Sequence, residues 1–244
     1  MRIGISLIEP RPNSTDALGE VRGQIERAAD EGFASAWMAQ IFGLDALTTL
    51  AVAGRDVPGV ELGTAVVPTY PRHPVALAQQ ALTTQLALDG RLALGIGLSH
   101  QLVIEGMYGY SFDKPARHMQ EYLSVLLPLL DEGSASFQGE TVKAQVGLTA
   151  PRSAPVPVLL AAMAPRMLRL AGAVAAGTIL WMTGPATLES HIVPTITGAA
   201  DKAGRPAPRI VCVLPVCVTD DVAAARERAA RVFAIYGQLP SYRA

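Results

Sequence analysis

A chain of 244 residues, half of them hydrophobic and 17% charged, is long enough to bury one large core as a single domain over 1–244. Its formal net charge of −1 gives no support for a nucleic-acid or other polyanionic partner.

In chain order, RIGISLI sets Ile3, Ile5 and Leu7 in alternation with smaller residues and reads as a first strand. Pro10 breaks this opening too early for a signal peptide. NSTD then offers caps for a helix with Leu18, Val21, Ile25, Ala28 and Ala29 at helical spacing, stopped by Gly32. FASAWMAQ reads as a second strand, and Asp45 can cap the helix after it. GVELGTAVVPTYPRHP, 59–74, begins as a third strand, but Pro68, Pro71 and Pro74 cannot continue a central one. A helix over 74–88 leads to RLALGIGL, whose nearly unbroken apolar run fits a strand covered on both faces.

A long loop follows, then a helical face of Met119, Tyr122, Leu123, Leu126, Leu127 and Leu130, which Pro128 should kink. His118 falls on the polar side of that helix and reads as a surface histidine. Residues 132–153 break the rhythm, as a short hairpin or a disordered insertion. Next come the strand VPVLLAA, a helix over 165–176, TILWM, a helix over 185–203, RIVCVLPVCV and a helix from Asp221. The apolar stretch 156–182 is interrupted by Pro165, Arg166 and Arg169, so no membrane span is expected. Cys212 and Cys217 lie five apart in one apparent strand, on opposite faces; a disulfide is not expected, and a reducing, cytoplasmic setting is.

Seven strand–helix units thus alternate without a dividing linker, which means a parallel sheet, either open or closed into an eightfold barrel. The first turn, IEPRPNST, has no glycine for a dinucleotide-binding loop, which favours a barrel lacking its eighth unit. Barrel chemistry sits at the C-terminal strand ends. Those ends carry Glu9 and Arg11, then Gln40 and Phe42, then Ala65 and Val66 followed by Tyr70, Arg72 and His73. Further along they carry Gly95, Gly97, Ser99, His100 and Gln101, then 162–164, 181–183 and Thr219. The many small residues suit close approach of a flat aromatic ligand, and equally suit tight turning. The histidines have no metal-ligand spacing, so no metal is expected. Ser99-His100 is not a triad, and GIG at 95–97 lacks the third glycine of a dinucleotide fingerprint.

In order and spacing, three stretches together resemble the bacterial luciferase-like superfamily, in particular its branch using the deazaflavin coenzyme F420. They are GVELGTAVVPTYPRHPVALAQQALTTQLALDGRLALGIGLSH, EGMYGYSFDKPARHMQEYLSVLLPLL and PVLLAAMAPRMLRLAGAVAAGTILWM. The resemblance implies a (β/α)8 TIM barrel whose third strand ends in a bulge with a non-prolyl cis peptide, here Ala65–Val66. The central ring of the coenzyme rests on that bulge in the family. The resemblance also places Gly95 and Gly97 beside the ring, and has Ala162, Met163 and Ala164 offer backbone N–H groups to its phosphate at a helix start.

Sugar-phosphate dehydrogenases of the family carry an Asp-His pair after the second strand and a Glu after the Gly-x-Gly of the fourth. This chain has Gln40-Ile41 and Leu98 there, so the base that an alcohol oxidation needs is missing. The resemblance therefore implies an F420H2-dependent reductase passing hydride to a small organic acceptor. Gln40 would orient the acceptor, and the proton would come from His100 or water. An FMN-dependent monooxygenase on the same fold is one alternative, and a non-catalytic ligand- or partner-binding barrel is another. Family members commonly pair through early helices, so a homodimer is expected, with a small-molecule substrate and no nucleic-acid or membrane partner.

Overall fold

The computed structural model describes residues 1–234 and 236–238. The first half comprises β1 (Gly4–Ser6), α1 (Ala17–Asp30), β2 (Ser35–Met38), α2 (Ala46–Gly54), β3 (Glu61–Thr64), β4 (Val67–Pro68), α3 (Pro74–Ala87) and β5 (Leu92–Gly97). Then follow α4 (Gln101–Gly106), α5 (Pro115–Asp131), β6 (Ser134–Gln138), β7 (Lys143–Gly147), β8 (Val158–Leu160) and α6 (Pro165–Val174). Last come β9 (Gly177–Trp181), α7 (Pro185–Thr187), a π-helical turn (Leu188–Ile192), α8 (Val193–Lys202), β10 (Arg209–Val213) and α9 (Val222–Val232). Local chemistry starts the helices. Asp16, Asp45 and Asp221 each accept a first-turn N–H through the side chain, and proline opens α3, α5 and α6.

The sheet runs β1-β2-β3-β5-β8-β9-β10, parallel throughout, with helices outside: a nearly closed α/β barrel. Among the described residues no strand lies between β10 and β1, each of which pairs on one side. Alternation along β5 explains its apolar run. Leu92, Leu94 and Ile96 join the outer core shared with the helices, while Ala93 lies in the lumen cluster with Trp37, Leu159 and Ile179. Gly95 and Gly97 stand on Ala93's side of that alternation. The outer layer is the larger; each buried Leu or Ile there contributes about 1.5–3 kcal/mol.

Trp37 is buried in the lumen with Ala93, Leu159 and Ile179. Its indole N–H donates to Ser35 Oγ at 2.9 Å, and Gly63 leaves room for the ring, since a Cβ there would come within 2.3 Å of it. Arg209 lies over that ring, 5.3 Å from its centroid, and pairs with Glu61 at 2.6 Å. No helix of the described residues is long and apolar enough to cross a membrane.

Several expectations are corrected. The second strand is shorter, 35–38, and the loop after β5 contains α4. Within 132–153 the chain forms the antiparallel hairpin β6–β7. The last strand ends at Val213, so Cys217 lies exposed beyond it and the two cysteines do not share a strand; both are free thiols. His118 is buried on α5 rather than on the surface: it stands four residues before Tyr122 and seven before Val125, on the buried stripe.

Glu121 of α5 docks the hairpin. Its carboxylate accepts N–H groups of Glu140, Thr141 and Val142 and the Thr141 hydroxyl, at 2.7–3.1 Å. Burial opposes its charge, but these hydrogen bonds outweigh it and bring the pKa down to about 2. A depressed carboxylate stabilises the fold above its unfolded pKa, and that contribution is lost as pH falls through the folded one. Glu121→Ala should therefore cost about 1–3 kcal/mol in urea unfolding at pH 7. Its difference from the parent should shrink as pH drops from about 4.5 towards 2; a pH-independent difference would contradict this account.

Candidate active site

The site grows from a break in one strand. Gly63 is level with Ala93 and Val67 with Ile96, so four steps along β3–β4 match three along β5. One residue is extra, and the chain bulges at Ala65 and Val66, whose peptide bond is cis as the resemblance implies. The Thr64 hydroxyl fills the interrupted ladder: it donates to Gly95 O at 2.8 Å and accepts from Gly95 N at 2.9 Å. Ala65 N–H reaches Met38 O at 2.8 Å on the other side. A Cβ on Gly95 would fall 2.0 Å from Thr64 O, and one on Gly97 would fall 2.7 Å from Val66 Cγ2. These two glycines thus make room for the bulge itself. Ala65 and Val66 remain half-exposed at the barrel mouth.

The proline-rich segment after the bulge turns its aromatic, cation and imidazole to structural use. Thr69 N–H donates to Gly97 O at 2.9 Å, and its hydroxyl lies 3.2 Å from His118 Nε2. Tyr70 stacks on His118, centroids 4.1 Å apart, and on Phe112 at 5.3 Å. Arg72 binds Asp45 at 2.6 Å, Tyr122 OH donates to Arg72 O, and His73 caps α3 and meets Lys143 O. Burial pushes His118 down to about 4, against the opposing pull of Glu121, so this imidazole is neutral at neutral pH. Burial, with Asp113 and Glu105, pushes Tyr70 up to about 12; its buried hydroxyl has no hydrogen-bond partner among the described residues.

The other strand ends surround the bulge. Gln40, two residues past β2, accepts Ala46 N–H at 2.7 Å through its carboxamide oxygen. Glu9, after β1, accepts Leu44 N–H at 2.9 Å. Ser99 takes a left-handed φ of 62° and turns the chain so that His100 heads α4. The His100 imidazole makes no hydrogen bond within the described residues, and burial lowers its pKa. Ala162 packs into the outer core, Met163 is half-buried and Ala164 exposed at the head of α6. Met163 O lies 2.8 Å from His191 Nε2 of the π turn, and Met163 Sδ receives the Thr183 hydroxyl. Because the two groups of a trans peptide point oppositely, the Ala164 N–H faces away from His191.

Ala65, Val66, Gly95 and Gly97 therefore form one contiguous patch. Gln40, His100 and 162–164 lie on neighbouring strand ends around it. Sequence reasoning missed His118 and the pairing of Phe42 with Tyr108, whose rings are 6.5 Å apart. No group of three or more metal-ligating side chains gathers among the described residues.

A family model described as luciferase-like monooxygenase matches residues 1–244. A Mycobacterium tuberculosis protein, provisionally named a coenzyme F420-dependent oxidoreductase, is 31% identical over 82% of this chain and 63% of its own length. The 5,10-methylenetetrahydromethanopterin reductase of Methanolobus tindarius is 26% identical over 88% of this chain and 66% of its own. The chain thus spans about two thirds of each relative. The solved coenzyme F420-dependent tetrahydromethanopterin reductase of Methanopyrus kandleri superposes with a TM-score of 0.79 at 24% identity, covering 96% of this chain and 72% of that one.

Gly95→Ala should be the most damaging small substitution in the site, because the clashing atom is backbone. A loss of about 3 kcal/mol in urea unfolding is expected, with a smaller loss for Gly97→Ala, where Val66 can yield. Equal stability of Gly95→Ala and the parent would refute the close approach.

Proposed function

The chain belongs to the luciferase-like monooxygenase family, and on that premise we propose that it is an F420-dependent oxidoreductase working as a reductase. The observation that carries the direction is the state of the mouth. At the positions after β2 and β5 stand Gln40-Ile41 and Leu98, and the Gln40 oxygen is already committed to α2. Neither of these positions holds a group that can take the proton of a substrate hydroxyl, and the Glu9 carboxylate across β2 is bonded to Leu44 N–H. The 31% identity to a relative named for F420 supports the choice of coenzyme.

The residues fit such a group. Small, half-exposed Ala65 and Val66 offer a flat floor, backed by Gly95 and Gly97. The α6 N-terminus has no side-chain cap, and the Ala164 N–H is free to meet an anion. When bound, the coenzyme supplies hydride. The protein's part is to orient the acceptor through the Gln40 NH2, keep water off the bulge, and deliver a proton from His100. Exposed Leu18 of α1 and Val52 of α2 support the homodimer reading.

Turnover of F420H2 with enones, imines and quinones, followed by the absorbance of the oxidised coenzyme, tests this assignment. Reduction should outrun oxidation of alcohols or sugar phosphates; the reverse would overturn it. His100 must carry a proton to act as an acid, and burial lowers its pKa below 6.5. The reductase rate should therefore rise as pH falls through that depressed value. In His100→Ala the rise should flatten, the rate should fall about 10²-fold or more, and coenzyme affinity should stay unchanged.

A further inference from the structure

Resting on that reading, we infer that Phe42 and Tyr108 form an aromatic clamp above the bulge, which selects an uncharged, flat, largely apolar acceptor. Phe42 lies on the loop after β2 and Tyr108 on the loop after α4, which follows β5. Between β2 and β5 lies β3, so two loops that meet do so across the end of β3, where the bulge is. The rings sit 6.5 Å apart and are tilted by 44°. Phe42 is 62% exposed and Tyr108 37%, with Ile41 beside Phe42 at 55%.

That exposure is held in place. The Phe42 loop is fixed at one end by Gln40 on Ala46 N–H and along its course by Glu9 on Leu44 N–H. The Tyr108 loop is fixed by Tyr108 N–H on Val103 O, Tyr110 N–H on Ile104 O, and Glu105 on Phe112 N–H. Its far end rests on the bulge loop through the Phe112–Tyr70 stack. Two apolar rings packed side by side and anchored in water are stabilised by a ligand that covers them.

Charge points the same way. Around this side of the mouth Arg72 is paired with Asp45, and Lys114 and Arg117 are both paired with Glu140. Arg11, after β1, lies across β2 from the bulge and makes no ion pair among the described residues, while the Glu9 carboxylate of the same segment bonds the Phe42 loop at Leu44 N–H. A phosphorylated or carboxylated acceptor would meet cations already paired with carboxylates and the Glu9 carboxylate beside Phe42, whereas a conjugated ketone would find two ring faces. In the reaction, the acceptor's C=C gains a hydride at one carbon from the reduced coenzyme and a proton at the other. The two electrons leave the coenzyme, which returns to its oxidised form.

Two measurements with one probe pair, benzylideneacetone and its para-carboxylate, test this. In equilibrium titration of the coenzyme-free protein, the neutral enone should bind at least tenfold tighter than the carboxylate. Phe42→Ala and Tyr108→Ala should each weaken the neutral enone about tenfold, while Tyr108→Phe keeps its affinity. In turnover, the alanine variants should raise KM for the neutral enone about tenfold with kcat within about twofold, and leave F420 affinity and unfolding midpoint unchanged. Equal binding of both probes, or unchanged affinity in both alanine variants, would overturn the clamp. Failure of F420 to bind the parent protein would overturn the coenzyme reading instead, and the titrations without coenzyme would still decide the clamp.

Discussion

The bulge depends on a carbonyl oxygen brought close to an α-carbon. Thr64 O lies where a Cβ of residue 95 would be, and only glycine leaves that place empty. With the carbonyl seated there, the Thr64 hydroxyl can take both hydrogen bonds of the Gly95 backbone, so β3 can leave its register without orphaning polar groups. Val66 then drops against Gly97, and β4 resumes pairing one residue out of step. Every proposed site residue is placed relative to this displaced segment.

The stiff loop that follows supports the bulge from behind. Its three prolines fix dihedral angles, and its polar side chains bind α2, α3, α5 and the hairpin. The imidazole of His118 is neutral because it is buried, and in that state it can share a proton with the Thr69 hydroxyl and stack under Tyr70. A group that sequence position would assign to the surface therefore belongs to the frame of the site.

Much of this was legible in the residues. Alternating patterns and aspartate caps gave the order of strands and helices, because both signals are local. The bulge was legible from small residues running into prolines, together with the resemblance. The reason for Gly95 and Gly97 was not, since it lies in a partner strand thirty positions away. His118 was misplaced although its spacing to Tyr122 and Val125 is helical; its ring partners, Tyr70 and Thr69, come from an aperiodic loop. The meeting of Phe42 and Tyr108 joins two loops of no period at all, and only the closure of the sheet brings them together.

The filled lower lumen has a kinetic consequence. Trp37, Arg209 and Glu61 pack across the lower part of the lumen, so the direct way to the bulge is past the strand ends. A coenzyme lying on Ala65 and Val66 would be the deeper of two guests, with the acceptor stacked above it. Where two guests enter from that side, one order is favoured: the deeper guest arrives first and departs last. The barrel would then impose an ordered sequence on two reactants through its shape, with no moving part.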